Sequence, residues 1–372
     1  MDLLFENPNG IPRPIMSNIF SRLPIPDIRS VKCVCKNWNR SCRNTGFLNE
    51  QSMFSKQNNT QLVIECDFST ENNNYTEIVV VADDYKDEII DRAVFIPANL
   101  RRRMYTLVGS EEGVLCITAW KDDCPHKIYL INPTIIDSMV IKLPCMMGIY
   151  DPHATAFVYD YSTDEFYIAY MISRDKVKNS AKLYSFSSKS QCWDIITQLE
   201  VHVGTFSETS VHLNGIVFWL ASKADVKKII TFDISSWERS IITVHNLVEQ
   251  VLVELVRVQD RIGLLTSKVN IDSSKDFIVW INNDLTLRNI GWTQYYRISN
   301  AHRAFIPYSF INYKIFCVLD KTIETDIPIQ DSTKYLFIIG GENNIMLKRL
   351  HCPDSLTLSV LKLFHYYPTL RK

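Results

Sequence analysis

Histidines, cysteines and paired carboxylates are the side chains from which an active site or a metal centre would be built, so their spacing is the first test of function. The histidines His126, His153, His202, His212, His245, His302, His351 and His365 are scattered without the spacing of a metal set. His212 stands two residues before Asn214-Gly215 in a strand-like run, which reads as a hydrogen-bonded strand histidine rather than a general base. The ten cysteines form no CxxC pair, and most lie in apolar runs such as 113–118 (GVLCIT) and 314–319 (KIFCVL). Such thiols behave as small hydrophobes, not as a disulfide or metal framework. Cys33 and Cys35 are two apart in a helical pattern and cannot share a face. The acidic pairs Asp83-Asp84, Asp122-Asp123 and Asp164-Glu165 fall in turn-like places, where adjacent carboxylates are solvated. No GxSxG, Walker-type loop, HExxH or dinucleotide glycine fingerprint occurs. The chain offers no catalytic, cofactor-binding or metal-binding set, and the expectation is a protein that is not an enzyme and needs no cofactor.

The elements that would position a binding surface fall into two kinds. At 372 residues the chain suits one small and one large domain. A hydrophobic content of 46% supports a large core and argues against wholesale disorder. The net charge of −1 argues against a globally basic nucleic-acid-binding surface. There is no 18-residue apolar run to cross a membrane, and the first residues lack the pattern of a secretory signal. An intracellular protein, cytoplasmic or nuclear, is therefore expected, and the Asn58 and Asn74 sequons are coincidental.

Residues 11–49 carry helical periodicity. Ile15, Ile19 and Leu23 recur every four residues and predict a helix from about Pro14 to Arg22. The Leu23-Pro24-Ile25-Pro26 run ends it. Pro26 suits the first position of a second helix, and Asp27 complements its positive end. Ile28, Val31, Cys35, Trp38 and Cys42 then form an apolar stripe at spacings of 3, 4, 3 and 4. Asn44-Thr45-Gly46 breaks the pattern before a third helix marked by Phe47, Leu48, Gln51 and Phe54. Three helices this short bury too little to stand alone. They either pack on the rest of the chain or lean on a partner.

Ile11-Pro12, the run 19–24 (IFSRLP) and Val34-Cys35-Lys36-Asn37-Trp38, with Phe47 behind them, resemble the F-box motif. Ile11 stands where Leu is usual, and Pro14 where an acidic or helix-forming residue is more common. F-box proteins are substrate receptors of ubiquitin ligases. The resemblance implies that the module binds an Skp-type adaptor, and through it a cullin scaffold, with Ile11, Pro12, Ile19, Leu23, Pro24, Val34, Cys35 and Trp38 at the interface or supporting it. Such recognition buries apolar anchors of short helices against partner helices, a few anchors carrying most of the energy.

After a polar linker at 56–60 the period changes from 3.6 to 2. Residues 61–66 and 75–81 read as two strands. The run Arg101-Arg102-Arg103 reads as a solvated loop or, less simply, as a contact for an acidic or phosphorylated target. From Gly109 onward hairpins recur, with turn centres at Glu112-Gly113, Ser162-Thr163, Asn214-Gly215, Asp260-Arg261 and Asn312-Tyr313. Asn214-Gly215 is the strongest signal, because both positions of a type I′ turn need positive φ. Ile131, Tyr184, Phe232 and Ile281 repeat at spacings of 53, 48 and 49 residues. Four strands in about 50 residues is the period of a kelch-like propeller blade. Five units span about 105–350, the strands at 61–81 suggest a sixth, and Leu356–Leu363 could close the ring. An open β-sandwich is the alternative. Only Gly340-Gly341 pairs two glycines, so the blades are degenerate. Trp193, Trp219, Trp237, Trp280 and Trp292 are expected to pack between blades.

Gly109-Ser110 with 113–116 (GVLC), Ile131-Asn132-Pro133-Thr134, 157–160 (FVYD), 211–215 (VHLNG) with Phe218-Trp219-Leu220, and Phe232-Asp233-Ile234 resemble the plant-type F-box-associated domain. Glu112-Gly113 stands where that family usually has Asn-Gly, and Val158 where it often has Gly. The expected architecture is α+β and multidomain: an F-box module at 1–55, a linker at 56–60 and an all-β domain at 61–372, a kelch-like propeller. The expected role is target capture for an SCF-type ubiquitin ligase, with the target unidentified and nucleic acid and membrane not involved. A non-ligase scaffold or inhibitor bound to the adaptor, and a propeller enzyme capped by its helices, are the alternatives.

Overall fold

The structure, a computed structural model, describes residues 12–58, 61–69, 74–82, 89–90, 92–93, 105–121, 124–135, 137–144, 153–175, 180–199, 205–223, 226–244, 251–282, 291–303, 305–311, 314–319, 335–339, 345–350, 357–366 and 369–370. Ile11, Asp83-Asp84, Arg101–Arg103, Asp122-Asp123, Asn312-Tyr313 and Gly340-Gly341 lie outside them.

Four helices open the chain: α1 (Arg13–Ser21), α2 (Ile25–Val34), α3 (Lys36–Ser41) and α4 (Thr45–Asn58). The stripe from Ile28 to Cys42 predicts one helix, but the chain breaks it at Cys35, which is extended at φ −157° and ψ 163°. The Cys35 thiol accepts from the Trp38 backbone N–H at 3.5 Å, satisfying a donor that α3 leaves unpaired at its start. The three-helix reading therefore becomes four helices. Lys56, Gln57 and Asn58, expected in the linker, form the last turn of α4, leaving two residues before the first strand. Met16, Phe20, Ile25, Ile28, Cys42 and Phe47 are buried together, and Leu370 joins them from the far end of the chain. The Trp38 ring meets Phe20 edge-on at 4.9 Å.

The other described elements are β-strands, paired antiparallel with one exception. The strands β1 (Gln61–Ser69), β2 (Asn74–Ala82), β3 (Ile89–Ile90) and β4 (Arg92–Ala93) come first. Blade 1 holds β5 (Tyr105–Glu111), β6 (Val114–Lys121), β7 (Cys124–Asn132) and β8 (Asp137–Lys142). Blade 2 holds β9 (His153–Asp160), β10 (Glu165–Asp175), β11 (Ser180–Ser187) and β12 (Trp193–Leu199). Blade 3 holds β13 (Thr205–Leu213), β14 (Ile216–Lys223), β15 (Val226–Asp233) and β16 (Arg239–Thr243). Blade 4 holds β17 (Val251–Val258), β18 (Arg261–Val269), β19 (Lys275–Asn282) and β20 (Trp292–Ala301). Blade 5 holds β21 (Phe305–Ile311), β22 (Lys314–Leu319), β23 (Tyr335–Ile339) and β24 (Ile345–Leu350), with β3 paired in parallel to β24 at its edge. Blade 6 is assembled from both ends of the chain: β25 (Thr357–Tyr366) pairs with β1, followed by β2 and β4.

The inner strands β5, β9, β13, β17, β21 and β25 neighbour one another in a ring. β1 and β25 pair from Gln61↔Tyr366 to Ser69↔Thr357, so the apolar stretch expected to close the ring does so. A buried carboxylate strengthens the joint with blade 1: Glu65 in β1 accepts from the Leu107 N–H of β5 at 2.5 Å.

The repeat positions Ile131, Tyr184, Phe232 and Ile281 each lie in the third strand of a blade and are all buried. Asn214 and Gly215 take φ of 51° and 79°, as the Asn-Gly signal requires. Gln259, at φ 55°, places the blade 4 turn one residue earlier than the expected Asp260-Arg261 centre. The core lies between blades. Trp219 is fully buried with Ala154, Met171 and Leu183 of blade 2 and with Val217, Ile230 and Phe232 of its own blade. Trp193 packs against blade 1 residues and donates to the Lys142 carbonyl of β8 at 2.8 Å. Trp280 and Trp292 pack between blades 3 and 4. Trp237 departs from the expectation: it occupies a left-handed turn position at φ 62° and is exposed.

Candidate functional site

The residues of the helical module sort by exposure. Met16 and Phe20 point α1 inward. Ile15 and Ile19, four residues apart, lie on one face of the same helix and remain 52% and 47% exposed. Val34, the last residue of α2, is 63% exposed. A helix that has already buried one apolar face and still presents a second has a surface suited to burial against another chain. Pro12 and Pro24 are exposed at the starts of α1 and α2. Leu23, Cys35 and Trp38 are half-buried, and Leu23 and Trp38 pack against the module's own core. The eight expected interface residues therefore divide into outward anchors, half-buried supports and Ile11, which lies outside the described residues.

The module is seated on blades 1 and 2 through α4. Phe47, Gln51, Ser52 and Ser55 form its buried face, three polar residues to one apolar. Ser52 donates to the Glu112 carboxylate in the turn between β5 and β6, and Tyr161 of the blade 2 turn donates to the same carboxylate at 2.5 Å. The Glu112 backbone oxygen accepts from the Thr369 hydroxyl. Asn132, at the end of β7, donates from its amide to the Thr369 carbonyl at 3.2 Å. Lys56 lies 6.0 Å from the centre of the Tyr161 ring, within cation–π range. Leu370 and Ile135 complete an apolar seam against the helices. All these contacts fall on one rim, the end where the first strand of each blade turns into its second.

The same rim holds His212. Its Nε2 lies 3.2 Å from the Glu111 carboxylate of β5, so β13 is tied to an inner strand two blades away. That is the partnered strand histidine the sequence suggests. The described thiols lie in varied settings: Cys42, Cys116 and Cys317 are buried, and Cys33 and Cys192 are exposed. Burial pushes the Cys42, Cys116 and Cys317 thiols up from the ordinary cysteine value. Among the described residues no cluster of three or more His, Cys, Asp or Glu side chains could hold a metal ion. No helix among them is long and apolar enough to cross a membrane.

The opposite rim carries exposed apolar residues at the turns between second and third strands. Val226 is 48% exposed, Val269 60%, and Ile271 fully so. The blade 4 tip bearing Val269 and Ile271 is tied together by side-chain hydrogen bonds. Asn270 donates to Ser274 Oγ and to Asp276, both at 2.9 Å. Asp272 accepts from the Ser274 N–H at 3.0 Å and hydroxyl at 2.7 Å. Asp276 is buried, is ion-paired with Arg297 and accepts from the Asn300 N–H at 3.0 Å.

Comparison with known proteins bears on this architecture. The model of the F-box associated beta propeller domain matches residues 96–372, well over half of the chain. The chain belongs to the F-box associated β-propeller family. The F-box domain model matches residues 9–50, which contain α1 to α3 and the start of α4. In this family member β1, β2 and β4 precede the matched propeller region yet complete its sixth blade. The F-box/kelch-repeat protein At3g23880 of Arabidopsis thaliana is 24% identical over 243 residues, covering 62% of this chain and 64% of that one. The F-box protein At2g38590 of the same plant is 23% identical over 374 residues, covering 91% and 84%. Among solved structures, TolB from Acinetobacter baumannii aligns with 82% of this chain and 66% of its own at a TM-score of 0.44 and 8% identity.

Sequence reasoning missed two features. Ile15 is outward and apolar beside Ile19, an exposure that its four-residue spacing from Ile19 was a usable signal for. Glu112 and Ser52 are 60 residues apart, and no local pattern could pair them.

Proposed function

We propose that this chain is the target-recognition subunit of an SCF-type ubiquitin ligase. Its α1–α3 surface docks an Skp-type adaptor and thereby a cullin scaffold, and the propeller holds a target protein for ubiquitin transfer by a separate enzyme. The observation that carries the reading is the second apolar face on helices whose first face is already buried: Ile15, Ile19 and Val34 stay open to solvent. Pro12 and Pro24 are exposed at the starts of these helices, Leu23, Cys35 and Trp38 support the surface from within, and Ile11 is kept in the assignment on the motif resemblance alone.

The chain does no bond chemistry in this scheme. Its contribution is effective concentration and orientation of the target. Val226, Val269 and Ile271, on the rim away from the helices, are the surface we assign to the target, because a preorganised tip loses little freedom on binding.

The test is co-expression of the full chain with an Skp-type adaptor, followed by size-exclusion chromatography. A stable complex of the two is expected. Separate elution of two folded proteins would overturn the docking assignment. Affinity capture under proteasome inhibition, comparing the full chain with a Val34→Lys variant, then reads target turnover.

A further inference from the structure

We infer that Glu112 is a clasp that fixes the helical module to the propeller in one orientation, so that adaptor-binding and target-binding surfaces move as one body. The inference rests on the proposed function only for what the two surfaces bind. The clasp itself follows from geometry.

Three segments distant in sequence converge on this one residue. One carboxylate oxygen accepts from Ser52 of α4 and the other from Tyr161 of blade 2. The backbone oxygen accepts from Thr369, whose own carbonyl is held by Asn132. Glu112 is 1% exposed, so its charge has been taken out of water and must be met by buried partners, these donors among them. It also sits at φ 46°, a left-handed conformation that costs a residue with a Cβ about 1–2 kcal/mol. The tight turn between β5 and β6 imposes this value, as hairpin turns do at Asn214 and Gln259, and it fixes the direction in which the Glu112 side chain leaves the backbone. Alanine, lacking the acceptor oxygens, would leave the Ser52 hydroxyl with its donor unpaired in a buried seat.

The buried face of α4 is mostly polar, while Leu370 and Ile135 join the apolar cluster of the module that includes Phe47. Polar contacts carry direction, whereas apolar contacts tolerate sliding. The Ser52–Glu112 hydrogen bond is the directional contact through which the carboxylate holds the module's orientation.

The clasp is tested on the full chain, with nitroxide labels on the exposed thiols Cys33 of α2 and Cys192 of blade 2 and other reactive thiols replaced by alanine. Electron–electron resonance then reads the distance between module and propeller. Glu112→Asn is the first variant, because asparagine tolerates the left-handed turn but is too short to reach both hydroxyls. Ser52→Ala is the second, since it leaves the propeller untouched. One narrow distance distribution is expected for the unsubstituted chain, and its loss to a broad one in both variants. A distribution that stays narrow and unshifted in both, or one already broad in the unsubstituted chain, overturns the clasp. Adaptor affinity is expected to be unchanged in Glu112→Asn. Failure of every form to bind the adaptor would count against the proposed function and not against the clasp.

Discussion

Replacing Ile19 and Val34 together with lysine tests the outward face of the helical module quantitatively. Both positions lie in the last turn of their helices, where a cation complements the negative helix end, so the helices keep their stability. Full burial of an Ile or Val side chain is worth about 1.5–3 kcal/mol. Ile19 has 47% of its surface still open and Val34 63%. Covering the remainder is then worth about 0.7–1.4 and about 0.9–1.9 kcal/mol, or about 1.6–3.3 together. At 1.4 kcal/mol per tenfold, losing it weakens adaptor binding roughly 15- to 200-fold, before any cost of burying the two ammonium groups. Titration calorimetry against a purified Skp-type adaptor reads the change. A thermal melt provides the fold control, with a shift of about 2 °C or less expected for exposed positions. Unchanged affinity with an unchanged melt would refute the assignment of this face. Trp38→Ala is a poorer probe: Trp38 packs on Phe20, so its loss disturbs the module itself.

Trp219→Ala removes the largest fully buried side chain between blades 2 and 3 and is expected to cost about 3–5 kcal/mol, read as a lower denaturant midpoint. A Cβ on Gly263 would lie 2.9 Å from the Trp280 backbone oxygen and 3.0–3.1 Å from methyls of Val258 and Val256, so Gly263→Ala is expected to destabilise by about 1–3 kcal/mol. Gly291→Ala meets nothing within 4 Å and is its control, expected to be neutral or slightly stabilising in the same denaturation series. Asp276 gives a pH dependence: burial raises its carboxyl, but Asn270, the Asn300 N–H and Arg297 more than offset that and hold it below the usual carboxylate range. A depressed folded-state value gives stability that is present above the ordinary aspartate value of about 3.9 and lost as pH falls through the folded one. Asp276→Asn is therefore expected to narrow the stability gap between pH 7 and pH 3, as followed by urea denaturation, and an unchanged gap would count against the network.

The propeller was legible because its signals are local and repeated. An Asn-Gly turn, alternation along each hairpin and a late strand every 50 residues or so are short-range facts, and six sheets follow from them. The helical break at Cys35 was hidden because the apolar spacing runs through it unchanged, and a thiol is a weak capping signal beside Ser or Asp. Trp237 looked like its fellow tryptophans but occupies a turn, where ring size says nothing about burial. The outward face of the module was half legible. Periodicity finds apolar faces but cannot tell which one the protein buries for itself. The seat on the propeller was not legible at all, because Ser52, Glu112, Tyr161 and Thr369 are brought together only by the closed ring.

The pairing of β1 with β25 sets an order of events during synthesis. Val63 and its partner Phe364 are 301 residues apart (364 − 63). At about 5–20 residues per second the ribosome needs roughly 15–60 s to deliver the second after the first. Val63 and Ile64, fully buried in the finished ring, wait that long on an unpaired strand edge. The helices with their open apolar face emerge before any blade. The module's own cluster is completed only when Leu370 arrives, so chaperones acting on this protein should be found on the interval between emergence of the helices and closure of the ring.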